Sequence, residues 1–196
     1  MVYDQLIIDL LMKMISYFGY GTNRDHDMMA AMIGRTNLSG ANGIILNYEL
    51  VIQNLEHIPD KVLSTAPVAR SPREIMRAAL GGNAKLYIIR PKSGAITYGT
   101  IWQITQEEYE MVRDWELLDF GMQEDMQVMA QKETDEEIIA QTHGSNDPNL
   151  SMSIAIDGRN YDDYVVPKEK ILEMARRVNN EFRERKVMPK NKLKQQ

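Results

Sequence analysis

The chain has 196 residues, 43% of them hydrophobic, and a net charge of −5; this suits one globular domain with its own core and argues against a nucleic-acid binder. It contains no cysteine, which excludes disulfide frameworks, thiolate metal sites and cysteine nucleophiles. The fourteen methionines read as adaptable core filler rather than as metal or heme ligands.

Residues 1–14 are apolar but interrupted by Asp4 and Asp9. They lack a basic leader and a small-residue cleavage motif, so they do not read as a signal peptide, and they are too short to span a bilayer. Tyr3, Ile7, Leu10, Leu11 and Met14 share one helical face, which predicts an amphipathic N-terminal helix, packed on the domain or docking a membrane or partner. Residues 14–20 predict a strand, broken at Gly21-Thr22-Asn23. Residues 25–33 predict a helix with Met28, Met29 and Met32 inward, Gly34 as its stop and Thr22 as its cap. Residues 44–53 alternate as a second strand, and residues 54–70, with Pro59 and Pro67, are loop-like.

Ser71-Pro72-Arg73-Glu74 is a capping box that opens a helix ending at Gly81-Gly82. Residues 86–90 and 96–104 predict a hairpin around Lys92-Ser93-Gly94. A second capping box, Thr105 to Glu108, opens a helix through Trp115, with Tyr109, Val112 and Trp115 or Leu117 inward. Strands are expected at 126–130, 137–141 and 152–156, with a turn-rich stretch at 144–148. A last helix covers 167–185, with Ile171, Met174, Ala175 and Val178 as its buried stripe. The basic run from Arg183 to Lys194 reads as a solvated terminus, or as a contact for RNA or a membrane. Three segments follow: a helical extension at 1–14, a domain at 15–186 and a basic flexible tail at 187–196. Strands dominate and βα alternation is not sustained, so the expected class is α+β with a mixed or antiparallel sheet.

Two features carry chemistry. In Tyr17-Phe18-Gly19-Tyr20-Gly21-Thr22-Asn23 a strand runs through a glycine turn into a helix. Such a turn either binds an anionic or oxyanionic group through its unpaired amides or is simply a well-capped turn. Gly19 and Gly21 are half of a dinucleotide fingerprint, but Arg24 stands at the third glycine. The second feature is Glu116, at the end of the helix after Gly99-Thr100-Ile101-Trp102. The helix C-terminus and the flanking Trp115 and Leu117 raise the pKa of a carboxyl there, toward the value that acid–base catalysis needs. Alternatively it is one more glutamate at a surface helix end. His26, His57 and His143 are scattered, and Asp25-His26-Asp27 diverges around a helix axis. Asp135-Glu136-Glu137 and Asp162-Asp163 read as surface charge. No Ser/His/Asp triad, P-loop or H-E-x-x-H motif occurs.

Together these blocks resemble the gamma-glutamylcyclotransferase (AIG2-like) family. Tyr17 to Asn23 is similar to that family's Y-F-A-Y-G-S-N signature, with Gly19 for its alanine and Thr22 for its serine. Gly99-x-Ile101-Trp102-x-Ile104, followed by Arg113-Asp114-Trp115-Glu116, is similar to its G-x-(V/L)-(Y/W) and L-D-x-x-E blocks, with the aspartate shifted. The resemblance covers about residues 15–175. It implies a small mixed β-barrel with flanking helices and an enzyme that cyclises a γ-glutamyl group to 5-oxoproline, releasing an amine or amino acid. It implies Tyr20, Gly21, Thr22 and Asn23 as substrate-binding residues, Glu116 as the catalytic acid/base, and a late tyrosine, Tyr161 or Tyr164. The expected partner is a small γ-glutamyl substrate, with no metal or organic cofactor, no nucleic acid and no membrane, in a cytoplasmic setting. Residues 59–82 have no counterpart and are expected on the pocket rim. The competing expectation is a non-catalytic AIG2-like protein binding a ligand or partner on the same scaffold.

Overall fold

In the computed structural model residues 14–148, 154–156 and 167–187 are described. The strands are β1 (Met14–Gly19), β2 (Gly40–Asn54), β3 (Lys85–Thr105), β4 (Glu124–Lys132), β5 (Glu137–Gly144) and β6 (Ile154–Ile156). The helices are α1 (His26–Ile33), α2 (Pro72–Leu80), α3 (Gln106–Trp115) and α4 (Lys168–Val187). β1 lies antiparallel to β3 and parallel to β5, β5 pairs with β4, β4 with β2, and β2 returns to β3. Five strands therefore close into a mixed barrel, and β6 adds to β2 at Leu50–Ile52.

The two-residue period of a strand sorts the core into layers. Phe18, Ile45, Leu50, Ile89, Ile101, Val128 and Ala140 fill the barrel. Their neighbours Tyr17 and Trp102 point outward, onto Met28, Met29 and Met32 of α1, Met111 and Val112 of α3, and Ile171, Ala175 and Phe182 of α4. The methionines at these contacts pack helix against barrel, as their flexible side chains suit them to do. A third cluster, around Leu55, Ile58, Ala84 and Met122, sits with Met76 and Leu80 of α2. Glycines set the closest approaches. A Cβ at Gly99 would stand 2.4 Å from the Phe18 ring, so the barrel interior needs that position bare.

Both capping boxes form. Ser71 accepts from the Glu74 amide and Glu74 from the Ser71 amide, at the start of α2, and Thr105 and Glu108 do the same for α3. Three expectations are corrected. Asp25 caps α1 by accepting from the Met28 amide at 3.1 Å, because Thr22 lies inside a preceding 3-10 turn, Gly21–Arg24. The expected hairpin at 86–104 is one long strand, both halves of which pair with β2. Leu46 faces Ile96 and Tyr48 faces Pro91, so residues 92–95 bulge out opposite the single residue Asn47. The turn chemistry is satisfied locally instead: Gly94 and Asn47 both have positive φ, and the Gly94 amide donates to Asn47 Oδ1. Finally, Met14 opens β1, as the strand expected at 14–20 has it, and is not part of the preceding helical face, and β2 is longer at both ends than alternation predicts. The N-terminal residues 1–13, the tail from residue 188, and Tyr161 and Tyr164 lie outside the described residues. Among the described residues no helix is long and apolar enough to cross a membrane.

Candidate active site

After β1 the chain takes one extended residue, Tyr20, and then the 3-10 turn Gly21–Arg24. Gly21 has φ +58°, a left-handed conformation that glycine adopts without steric cost. The turn folds back on the barrel. The Asn23 carbonyl accepts from Trp102 Nε1 at 2.7 Å, and a Cβ on Gly19 would stand 2.4 Å from that carbonyl oxygen. Alanine, which the resemblance expects at this position, does not fit this path. The amides of Gly21 and Thr22 open the turn, where a 3-10 helix has no internal partner for them. No acceptor among the described residues takes them.

Glu116 is the C-cap of α3. Leu117 then takes a left-handed conformation, and a short turn, Leu118–Phe120, brings Gln123 back beside Glu116 ahead of β4. The carboxyl group is held at both ends by neutral amides. Asn23 Nδ2 donates to Glu116 Oε1 at 2.7 Å, and Gln123 Nε2 donates to Oε2 at 2.8 Å. The second hydrogen of Asn23 Nδ2 goes to Tyr17 Oη at 2.8 Å, so both donors of that amide are committed. The Tyr20 hydroxyl lies 3.0 Å from Gln123 Oε1 and 2.8 Å from the His143 carbonyl oxygen. Having one proton, it donates to one of them at a time.

No lysine or arginine among the described residues pairs with Glu116. Burial pushes its carboxyl above the ordinary value, and the two amide hydrogen bonds only partly offset this. The residue as a whole keeps partial exposure; the carboxyl itself is enclosed, and it is the carboxyl that titrates. Tyr17 and Tyr20 are pushed well up, first by burial and then by the nearby Glu116 charge, so both remain neutral phenols. His143 is fully buried between Tyr109 and Tyr17, with ring centroids 5.4 and 5.5 Å away. Burial lowers it to about 4. It is therefore neutral at pH 7, and its Nε2, 3.5 Å from Asp125 Oδ1, makes no ion pair and no hydrogen bond. Asp125 instead accepts from Tyr109 at 2.7 Å and pairs with Arg113.

Tyr17, Tyr20, Asn23, Glu116, Gln123 and His143 border one cavity of about 200 Å³. Its polar end holds Tyr20, Gly21, Thr22, Asn23, Glu116 and Gln123. Residues 93 positions apart in sequence, Asn23 and Glu116, thus meet at one surface. Residues of α2 form part of the wall, in line with the expectation that the segment 59–82 reaches the pocket. Among the described residues no group of three His, Asp or Glu side chains could hold a metal ion. Asp25 and Asp27 both bond Lys168, at 2.6 and 3.1 Å.

A solved structure described as gamma-glutamyl cyclotransferase superposes with a TM-score of 0.53, over 90% of this chain and 89% of that one, at 14% identity. The chain has the gamma-glutamylcyclotransferase fold. A structure of an uncharacterized protein from Homo sapiens matches it equally, with TM-score 0.53, 14% identity and the same coverage of 90% and 89%. An AIG2-like protein from Mus musculus follows at TM-score 0.42 and 15% identity, over 75% of this chain and 90% of that one. No family model and no curated protein matches the sequence. On the cyclotransferase fold, the Tyr20–Asn23 turn and Glu116 stand together at the end of the barrel where β1 meets α3. Sequence reading passed over Gln123 and set His143 aside as one of three scattered histidines. Gln123 lies in no motif, and its only signal is its nearness to Glu116 in sequence. His143 ends a strand that alternation made too short.

Proposed function

We propose that the chain cyclises a γ-glutamyl group to 5-oxoproline and releases the amine that the group carried. The substrate's α-ammonium gives a proton to the Glu116 carboxylate. The freed amine nitrogen attacks the γ-carbonyl carbon of the same glutamyl group, forming the ring C–N bond and a tetrahedral oxyanion. The Gly21 and Thr22 amides are the donors offered to that oxyanion or to the substrate carboxylate. Glu116 then returns its proton to the leaving nitrogen as the old C–N bond breaks, takes the surplus proton from the ring nitrogen and passes it to the departing amine, which leaves 5-oxoproline, an ammonium product and the carboxylate regenerated. No redox partner or water is consumed. The setting implied is cytoplasmic and cofactor-independent, with a small molecule as substrate.

One observation carries this function. Glu116 is enclosed, with amides on both oxygens and no cation, at the wall of a cavity. A purely structural buried carboxylate is normally paired with a cation. A carboxyl raised above its ordinary value is also a stronger base than an exposed glutamate, which suits a group that takes a proton from an ammonium and returns it. The test is release of 5-oxoproline from a panel of γ-glutamyl conjugates by the purified protein. Activity above a Glu116→Gln control is the expected result. If no conjugate is turned over, the cyclotransferase function falls.

A further inference from the structure

The cavity lining is of two kinds. Glu116, Asn23 and Gln123, joined by hydrogen bonds, form its polar end with the glycine turn. Apolar side chains come from α2, through Ile75, Met76, Ala79 and Leu80, and from α4, through Met174 and Val178. The four α2 positions share one helical face, and all six side chains are only half-buried. An apolar face left partly open beside a polar end is how small-molecule sites are commonly built: few polar groups orient the ligand, and apolar walls take up its body.

We propose that the amine portion released by the reaction is bulky and apolar. This rests on the cyclotransferase function proposed above. The polar atoms of a γ-glutamyl group engage the polar end. Whatever follows the scissile amide nitrogen then lies between α2 and α4, where it finds side chains that bury apolar surface and offer no hydrogen bonds. A small or strongly polar amine leaves that surface wet. The mouth adds a charge preference. Lys85 and Arg177 border it and are exposed. Asp114 borders it too, but it is paired with Arg185 at 2.6 Å. Arg177 has Glu181 3.9 Å away, which leaves Lys85 as the net positive charge that a carboxylate on the leaving amine meets, and this favours a conjugate of an apolar amino acid over one of a simple apolar amine.

The test measures binding to the Glu116→Gln protein by titration calorimetry, so that turnover does not intrude. Three probes are compared: γ-glutamyl-phenylalanine, γ-glutamyl-glycine and γ-glutamyl-phenethylamine. Apolar pockets discriminate about 10–200-fold for a single methylene, so the phenylalanine conjugate is expected to bind about tenfold or more tighter than the glycine conjugate. Leu80→Gln and, on the facing wall, Met174→Gln are each expected to pull that ratio toward one; two sites are used so that one misfolded variant does not decide the result. Weaker binding of the phenethylamine conjugate, with a gap that closes in high salt, identifies the amino acid. Equal binding identifies the simple amine and keeps the apolar class. Equal affinity for the phenylalanine and glycine conjugates overturns the proposal, as does failure to bind either. The unsubstituted protein is assayed in parallel for 5-oxoproline. Turnover without apolar preference leaves the cyclotransferase function standing and removes this proposal. Preferential binding without turnover removes the cyclotransferase function, and with it the released amine, and leaves only an apolar subsite for the group beyond the γ-glutamyl amide.

Discussion

Helix α3 carries a glutamate held by the protein at each end, and the two are treated in opposite ways. Glu108, in its first turn, takes Arg35 in a two-pronged contact at 2.6 and 3.0 Å and closes the Thr105 capping box. Burial pushes its carboxyl up, but hydrogen bonds from Arg35 and Thr105 and the Arg35 charge outweigh this, so it falls below the ordinary value. Glu116, at the other end, has burial without a cation and is raised. The helix dipole favours a negative charge at Glu108 and opposes one at Glu116. Two identical side chains ten ångströms or so apart along one helix therefore do different jobs, one fastening the fold and the other held ready to exchange a proton. The difference lies in the partner, charged or neutral, and in the fuller enclosure of the Glu116 carboxyl.

The largest expected effect comes from removing the proton-exchanging group. Glu116→Gln keeps the shape and is expected to lower 5-oxoproline release by about a hundredfold or more, with the circular dichroism spectrum unchanged. Normal turnover by that variant would erase the distinction between the two glutamates. Next is Arg35→Met, which strands Glu108. Breaking a buried pair costs about 3–5 kcal/mol. Arg35 is 30% and Glu108 11% exposed, so solvent screening reduces the expectation to about 2 kcal/mol, read as a lower urea midpoint. A variant as stable as the parent would show that the pair fastens nothing.

A smaller effect is expected at the turn that holds Asn23 against Glu116. Gly19→Ala forces a Cβ toward the Asn23 carbonyl, and overpacking of this kind costs about 1–3 kcal/mol. The melting temperature should fall, and turnover should fall with it because Asn23 shifts from the carboxyl. Loss of stability at full activity would mean that Asn23 is not needed to orient Glu116. The smallest effect is in the pH dependence. Glu108 has a lowered folded pKa, so its contribution is complete above the ordinary value of 4.5 and is lost as pH falls through the folded value. Glu116 has a raised folded pKa, so its charge destabilises the fold above that value, and the penalty vanishes below 4.5. Glu116→Gln should then be at least as stable as the parent at pH 7, with the difference shrinking toward pH 4. Arg35→Met should also converge on the parent in acid, but from the unstable side. Opposite signs at neutral pH, followed through urea unfolding at several pH values, are the signature of the contrast.

The local grammar of the fold was legible in the chain. Ser71 with Glu74 and Thr105 with Glu108 are contacts across three residues, and their partners are written beside them. So were the glycine turn after β1 and the place of Glu116 at a helix end. What escaped was set at long range. Lys92-Ser93-Gly94 has hairpin chemistry, yet β2 offered both flanking segments a longer partner, and the turn became a bulge facing Asn47. Thr22 looks like a cap, but the Trp102 indole draws the Asn23 carbonyl to the barrel and moves the cap to Asp25. Gln123 and His143 reach the cavity only because the turn at 118–120 and the pairing of β5 bring them there. Neither distance is encoded by neighbouring residues.

The closure of the barrel also has a consequence in time. The Thr142 hydroxyl donates to the Phe18 carbonyl across 124 residues, next to the pairing of Tyr17 with Gln141. At roughly 5–20 residues per second of synthesis, about 6–25 s pass between the two strands leaving the ribosome's catalytic centre. During that interval β1 presents an unpaired edge and the Phe18 ring has no enclosed interior to enter. Edges of this kind attract other chains. Glu116 is made within the same interval, and until β4 and β5 follow it lacks Gln123 and remains an ordinary hydrated carboxylate. The last strands to emerge thus do two things in one step: they shield the growing chain from its neighbours, and they turn an unremarkable acid into one whose proton is poised.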